Sequence, residues 1–210
     1  MPSKPFRLAV VVGRFQPFHR AHLSLVREAA AKADNVLIIV GSAYRPRSPR
    51  NPFLFEERRA FIEGACEDRI DGARLFVLPL VDTLYNDRTW AANLRLAVKR
   101  VAQNDLGGLA PGDIALVGFE KDASSSYQRW FPEWSMLRMD PVCHDGKVIN
   151  AEDLRHDLFT DTRTFVEKSE ARFGSVPTEQ VRAWADRHPE ILANLSEEYE
   201  FIRDYRARLA

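Results

Sequence analysis

Short apolar runs alternate with longer amphipathic stretches through the first two thirds of the chain. The runs are rich in β-branched residues and are nearly free of polar positions, which is typical of strands covered on both faces. They predict five strands, at Leu8–Val12, Val36–Val40, Leu75–Leu80, Ile114–Val117 and Met136–Val142. Apolar residues at helical spacing between them predict helices over His22–Ala33, Phe55–Glu67 and Thr89–Gln103. The alternation favours an α/β fold, a Rossmann-like doubly wound parallel sheet of about five strands.

After about Asn150 the pattern becomes helical throughout. Helices are expected over Ala151–Phe159, Val176–Arg187 and Ile191–Arg208. We therefore expect two units, a sheet domain over residues 1–150 and a C-terminal helical subdomain over residues 151–210. An independent domain as small as the second unit would be marginally stable, so it should pack on the first.

Composition narrows the classes of partner. The 30 basic and 30 acidic residues cancel, so no global field attracts nucleic acid or a membrane surface, and any anion site must be local. No apolar run approaches the roughly 18 residues of a membrane span, and Met1–Phe6 has no signal-peptide core. The only cysteines, Cys66 and Cys143, are far apart and suit reduced thiols. These features indicate a cytoplasmic protein whose partners are neither nucleic acid nor a membrane.

The ends of the predicted strands hold the candidate chemistry. Ligands of open α/β sheets bind at the carboxyl ends of the strands, where the strand order reverses. Gly13, Gly41, Leu80–Asp87 and Gly118 all fall there. We expect these separated segments to converge on one site.

The segment from Gly13 to His22, Gly-Arg-Phe-Gln-Pro-Phe-His-Arg-Ala-His, is the most informative part of the chain. It joins the first strand to the first helix, and free N–H groups and the helix dipole at such a turn attract phosphate. His19 and His22 add two donors suited to a nucleotide triphosphate. Capping or packing histidines are the alternative for this pair. A metal pair is less favoured, because no third ligand is near in sequence and the i,i+4 spacing of zinc sites is absent.

This segment resembles the signature of the HIGH-type nucleotidyltransferases, Gly-x-Phe-x-Pro-x-His-x-Gly-His, with Ala21 in place of the usual glycine. Its wording is most similar to that of nicotinamide mononucleotide adenylyltransferases, in particular the group fused to a Nudix hydrolase. Later segments extend the resemblance over nearly the whole chain: Asn51–Phe53, Tyr85–Trp90, Lys121–Tyr127 and Ile149–Arg155. The last departs from the usual Ile-Ser-x-Thr-x-x-Arg, because Asn150 and Glu152 replace serine and threonine. No Nudix box is present in these 210 residues.

The resemblance implies condensation of ATP with nicotinamide mononucleotide to NAD and pyrophosphate, by direct in-line attack on the α-phosphate. Mg²⁺ would be delivered with ATP, and no protein metal site is expected. The implied catalytic residues are His19, His22 and Arg155. The implied ATP contacts are Gly13, Arg14, Phe15, Gln16, His19, His22, Gly118, Lys121, Asp122 and Arg155. The implied mononucleotide contacts are Phe15, Gly41, Ser42, Asn51, Asp82, Asn86 and Trp90.

Several alternatives stay open at this point. The acceptor could be nicotinic acid mononucleotide or phosphopantetheine, and cytidylyl transfer is a related reaction. A regulatory nucleotide-binding module without catalysis would account for the changes at Ala21 and Glu152. A homo-oligomer and a fragment of a bifunctional enzyme are both compatible with the sequence. Trp90 could serve the core rather than the ligand, and we expect Trp130, Phe131 and Trp134 to be core residues.

Overall fold

The central element of the protein is a six-stranded sheet. The computed structural model describes residues 4–66, 69–83, 85–119, 129–162 and 165–209. The strands of the sheet are β1 (Phe6–Gly13), β2 (Ala33–Val40), β3 (Arg69–Ile70), β4 (Ala73–Pro79), β5 (Ile114–Phe119) and β6 (Ser135–Met139). Their order is β3-β4-β2-β1-β5-β6, and all neighbours pair in parallel except β3, which is antiparallel to β4. The expected five-stranded parallel sheet is confirmed, with β3 as an additional edge strand.

The strand order reverses between β1 and β5. From β1 the chain proceeds through β2 to β4 on one side, and β5 and β6 lie on the other. Gly41 N–H donates to the carbonyl oxygen of Gly13 at 2.8 Å, which keeps the carboxyl ends of β1 and β2 level. The crevice expected for a ligand therefore lies beyond Gly13.

Helices cover both faces of the sheet. They are α1 (Arg20–Lys32), α2 (Phe55–Cys66), α3 (Asp87–Asn104), α4 (Ala151–Thr160), α5 (Phe165–Phe173), α6 (Ser175–Arg187) and α7 (Pro189–Leu209). Alternate residues of β1 point to opposite faces. Ala9 and Val11 belong to a buried cluster with α1 and α2, whereas Leu8 and Val10 belong to a second cluster with α3.

The helices after residue 150 share the first of these clusters. Leu158 of α4, Phe173 of α5 and Trp184 of α6 are all buried in it, together with Leu25 of α1. They therefore extend the core that already covers one face of the sheet. The division of the chain into two domains at residue 150 stays a prediction.

A short hairpin precedes α4 in the chain. Cys143–His144 (β7) and Lys147–Val148 (β8) form an antiparallel hairpin whose turn is Asp145-Gly146, both with positive φ. Asp-Gly is favoured in such turns because both residues tolerate the left-handed region.

Cys66 and Cys143 are free thiols. Within the described ranges, no helix combines the length and the apolar character needed to cross a membrane.

Candidate active site

The loop between β1 and α1 packs its own aromatic side chain beneath the turn. Phe15 has a φ of 52° and is 2% exposed. A Cβ atom added to Gly13 would lie 2.8 Å from the Phe15 ring, which is closer than a real contact allows. Glycine at position 13 is therefore required by the ring that supports the loop, as well as by any close approach of a ligand.

The two histidines of this loop lie face to face. His19 is the N-cap residue of α1 and is 3% exposed, and His22 lies in the first helical turn. Their ring centroids are 3.8 Å apart with an interplanar angle of 25°. His22 also packs edge-on against Phe15, with centroids 4.9 Å apart, and parallel to Phe18 at 5.6 Å. Aromatic packing therefore fixes both imidazoles at the helix N-terminus, where an anion is favoured.

Gln16 ties this loop to the Asn51–Phe53 turn. Its side-chain amide donates to the Phe53 carbonyl at 2.8 Å, and its side-chain oxygen accepts from the Phe53 N–H at 3.0 Å. Asn51 N–H in turn donates to the Ser48 carbonyl at 2.9 Å. The structure thus uses the Gln16 amide internally, and its contact with ATP stays a prediction.

Arg155 brings the second predicted motif to the first. Asn150 is the N-cap residue of α4, and its side-chain oxygen accepts from the N–H of Asp153 at 2.9 Å. One turn later, the buried Arg155 guanidinium donates to the carbonyl oxygen of Gln16 at 2.6 Å. Burial, followed by the charge of Arg14, lowers the pKa of Arg155 to about 10. The guanidinium therefore lies directly behind the loop that holds the histidines.

Arg58 is a structural residue of this site that sequence reasoning did not assign. It is 1% exposed and donates to the carbonyl oxygens of Arg14 at 2.6 Å, Gly41 at 2.8 Å and Ser42 at 3.2 Å. Burial first, and the charge of Arg14 second, lower its pKa to about 10. A charged residue at an apolar position of the α2 pattern was the signal that could have revealed it.

Three predicted mononucleotide contacts meet beyond β2 and β4. Asp82 accepts from the Ser42 N–H at 3.2 Å, from the Ser42 hydroxyl at 2.8 Å and from Arg45 Nε at 2.9 Å. Gly41 precedes Ser42 and is bonded to Gly13, as described above. The structure thus brings Gly41, Ser42 and Asp82 together at the edge of the sheet.

Asn86 and Trp90 lie at the start of α3, which covers the face of the sheet opposite to α1 and α2. Asn86 is the N-cap residue, and its side-chain oxygen accepts from the Thr89 N–H at 2.9 Å. Trp90 is half-buried and packs edge-on against Trp130, with centroids 6.2 Å apart, and Phe131 at 6.4 Å. Phe131 and Trp134 are buried, which confirms them as core residues. Trp130 is half-buried. The ligand roles of Asn86 and Trp90 stay predictions.

Two other predicted ATP contacts, Lys121 and Asp122, lie outside the described residues, together with Ser124–Ser126 and Tyr127. Gly118 lies inside β5 and is buried, one residue beyond the pairing of Val117 with Val11 of β1. It is therefore next to the point where the strand order reverses.

A cavity of about 500 Å³ opens between the β1–α1 loop, which carries Arg14, and the C-terminal helices α4 and α7. It is lined by Arg14, Ser48, Pro49, Arg50, Glu152, Arg155, Glu198, Tyr199, Ile202 and Arg206. Burial lowers the pKa of Arg14, and the neighbouring charge of Arg50 lowers it further. The four guanidinium groups around this cavity are only partly balanced by two glutamates, a charge distribution that favours an anion.

The protein combines a doubly wound sheet with a histidine pair at the N-terminus of α1 and an arginine-lined cavity beside that pair. These three features define a nucleotide-binding α/β protein of the nucleotidyltransferase class. Residues 10–129 match the cytidylyltransferase-like family. The chain therefore belongs to the cytidylyltransferase-like family, and its named relatives are mononucleotide adenylyltransferases.

The relatives agree in name. A nicotinamide/nicotinic acid mononucleotide adenylyltransferase of Acinetobacter baylyi is 36% identical over 139 residues, which cover 65% of this chain and 69% of that protein. A nicotinamide-nucleotide adenylyltransferase of Methanolobus tindarius is 41% identical over 88 residues, 42% of this chain and 49% of its own length.

Similarity to a solved structure extends over almost the whole chain. That structure is a bifunctional NMN adenylyltransferase/ADP ribose pyrophosphatase of Francisella tularensis, crystallised with AMP and a manganese ion. It superposes with a TM-score of 0.76 at 27% identity, over 97% of this chain. The chain spans 56% of the length of the Francisella protein.

Proposed function

We propose that this protein is an adenylyltransferase that condenses ATP with nicotinamide mononucleotide to form NAD and pyrophosphate. The observation that supports it most is the stacked His19–His22 pair. The Arg155 guanidinium supports the loop that carries this pair, because it donates to the Gln16 carbonyl oxygen at 2.6 Å. This arrangement joins the two predicted phosphate motifs in one place. The names of the relatives point to the same reaction.

The mechanism needs alignment rather than a general base. The attacking group is a phosphate monoester oxygen of the mononucleotide, which is already anionic at neutral pH. Both histidines would donate to the ATP phosphates, with His22 nearest the reacting α-phosphate, and Arg14 and Arg155 would hold the β- and γ-phosphates. Donors that are fixed before the reaction stabilise the charge that develops on the phosphoryl group and the departing pyrophosphate.

The acceptor would bind across the ends of β2 and β4. Ser42 and Asp82 are already oriented by their mutual hydrogen bonds, and Gly41 leaves the backbone accessible there. Asn86 would read the carboxamide, and the open part of Trp90 would stack on the pyridinium ring. Such a cation–π contact contributes roughly 0.5–2 kcal/mol. Phe15 and Asn51 would shape the pocket through the loops that they support.

A divalent cation, Mg²⁺ in our proposal, would enter with ATP. Nowhere in the described ranges do three or more histidine, cysteine or carboxylate side chains cluster as metal ligands. The cation would therefore be held mainly by phosphate oxygens and water, which is how Mg²⁺ is commonly bound with nucleotides. It would supply neutralisation of phosphate charge.

The direct test is incubation with ATP, Mg²⁺ and one acceptor at a time, followed by chromatography for the dinucleotide. We expect NAD from nicotinamide mononucleotide. Product only from nicotinic acid mononucleotide or phosphopantetheine would reassign the acceptor. Tight ATP binding without product from any acceptor would contradict the proposal and favour a regulatory module.

A further inference from the structure

The C-terminal helix α7 supplies one wall of the arginine-lined cavity. Glu198, Tyr199, Ile202 and Arg206 line it, and their spacing places them on one face of the helix. This part of the chain lies outside the segment that matches the cytidylyltransferase-like family. The wall is therefore a feature that the family match does not describe.

Helix α7 is attached to the same element that carries Arg155. The Tyr199 hydroxyl lies 2.9 Å from His156 Nδ1, and its ring centroid is 5.3 Å from that of Phe159, both on α4. Leu192 and Leu195 bury the first half of α7 in the core. The position of Arg206 is thus tied to that of Arg155 through these contacts.

The positive charges around the cavity are incompletely compensated. Neither Arg50 nor Arg206 forms an ion pair with a carboxylate in the part of the chain that the structure describes, although Glu152 and Glu198 line the same cavity. Guanidinium groups that converge without partners repel one another, and an anion in their midst removes that repulsion. The planar guanidinium of arginine can form two parallel hydrogen bonds to a phosphate, as it does to a carboxylate.

We propose that Arg206 binds the terminal phosphates of ATP, and the same groups of pyrophosphate after transfer, so that α7 closes the far end of the nucleotide site. This inference rests on the proposed function. If the histidines hold the α-phosphate, the remaining phosphates extend past Arg155 and Arg14 into the cavity. A volume of about 500 Å³ is sufficient for pyrophosphate with water.

The reverse reaction, in which NAD and pyrophosphate give ATP and nicotinamide mononucleotide, distinguishes a role of Arg206 in phosphate binding from a merely structural one. For Arg206→Ala we expect the KM for pyrophosphate, and the KM for ATP in the forward direction, to rise about tenfold, as loss of one charge-assisted contact does. The KM values for NAD and nicotinamide mononucleotide should not change. Arg206→Lys should recover part of the loss. Arg203→Ala is the matched control, because Arg203 lies on the same helix but pairs with Asp204 and does not line the cavity.

Calorimetric titration of each variant with pyrophosphate alone keeps this test independent of turnover. About tenfold weaker binding to Arg206→Ala, with Arg203→Ala unchanged, supports the site even if no dinucleotide is ever formed. Unchanged pyrophosphate affinity overturns it, even if the protein makes NAD. A parallel rise in KM for the mononucleotide would also overturn it, because the effect would then be on the fold of the whole site.

Discussion

Glu57 connects three parts of the structure that build the site, and its removal makes a quantitative prediction. Its two carboxylate oxygens accept from Arg47 at 2.7 and 2.8 Å, from the Leu54 N–H at 2.7 Å and from Trp184 Nε1 at 2.7 Å. The bond to Leu54 closes the N-terminus of α2. The bond to Trp184 joins α6 to α2, and the bonds from Arg47 join α2 to the loop that precedes Asn51.

The cost of Glu57→Ala follows from the groups left behind. The Trp184 ring is 1% exposed, so its N–H would lose its acceptor in the core, at about 1–3 kcal/mol. Arg47 would lose its carboxylate partner but keep its hydrogen bond to the Pro52 carbonyl, and the helix would lose a cap worth about 1 kcal/mol. We expect a loss of about 3–5 kcal/mol in the free energy of unfolding, typical of breaking a largely buried ion pair.

Urea unfolding of Glu57→Ala and Glu63→Ala measures this directly. Glu63 lies on the same helix and pairs with Arg59 one turn away, with 43% of its side chain exposed. Removal of such a surface pair should cost at most about 0.5 kcal/mol. If the two variants lost equal stability with equal m-values, the argument that Glu57 holds the loop to α6 would be wrong.

Three further predictions follow from single positions. Burial raises the pKa of Glu57, but the bonds from Arg47, Trp184 and Leu54 outweigh it and lower the pKa below 4.5. The stability advantage over Glu57→Gln should therefore be complete above pH 4.5 and shrink as the pH falls through the lowered pKa, and a constant difference would contradict this assignment. Gly13→Ala should cost about 1–3 kcal/mol through overlap with the Phe15 ring, whereas Gly41→Ala, with its nearest contact at 3.6 Å, should be tolerated in urea unfolding. Asn86→Ala should cost about 1 kcal/mol of stability and raise the KM for the mononucleotide, whereas Asn86→Asp should keep the cap and raise only the KM. An unchanged KM in both would restrict Asn86 to capping.

Local features of the site could be predicted because they depend on a few neighbouring residues. The cap at Asn150 with Asp153 at its N3 position is an example, since side chain and N–H are three residues apart. The strands of the parallel sheet were predictable for a related reason, because burial on both faces leaves a continuous apolar run. The two-residue strand β3 is too short to recognise, and helix α5 was missed because its buried stripe, Phe165, Ser169 and Phe173, has a polar residue at its centre.

Long-range contacts could not be predicted. The hydrogen bonds between the Gln16 amide and Phe53, which is 37 residues away, have no signal in the sequence. Arg155 and Arg206 are 51 residues apart, and the packing of α7 on α4 brings both to one cavity. Residue type indicates what a side chain can bind, whereas the fold decides whether the partner is protein or ligand.

The central claim is that the stacked histidines serve adenylyl transfer. The rate of NAD formation from ATP and nicotinamide mononucleotide, measured for the protein and for His22→Ala at equal folded fraction, tests it most directly. We predict a kcat about 10²–10³-fold lower in the variant, as for loss of one preorganised donor. His144→Ala, which changes a histidine on the β7–β8 hairpin, should leave the rate unaltered. An unchanged kcat in His22→Ala would contradict the account.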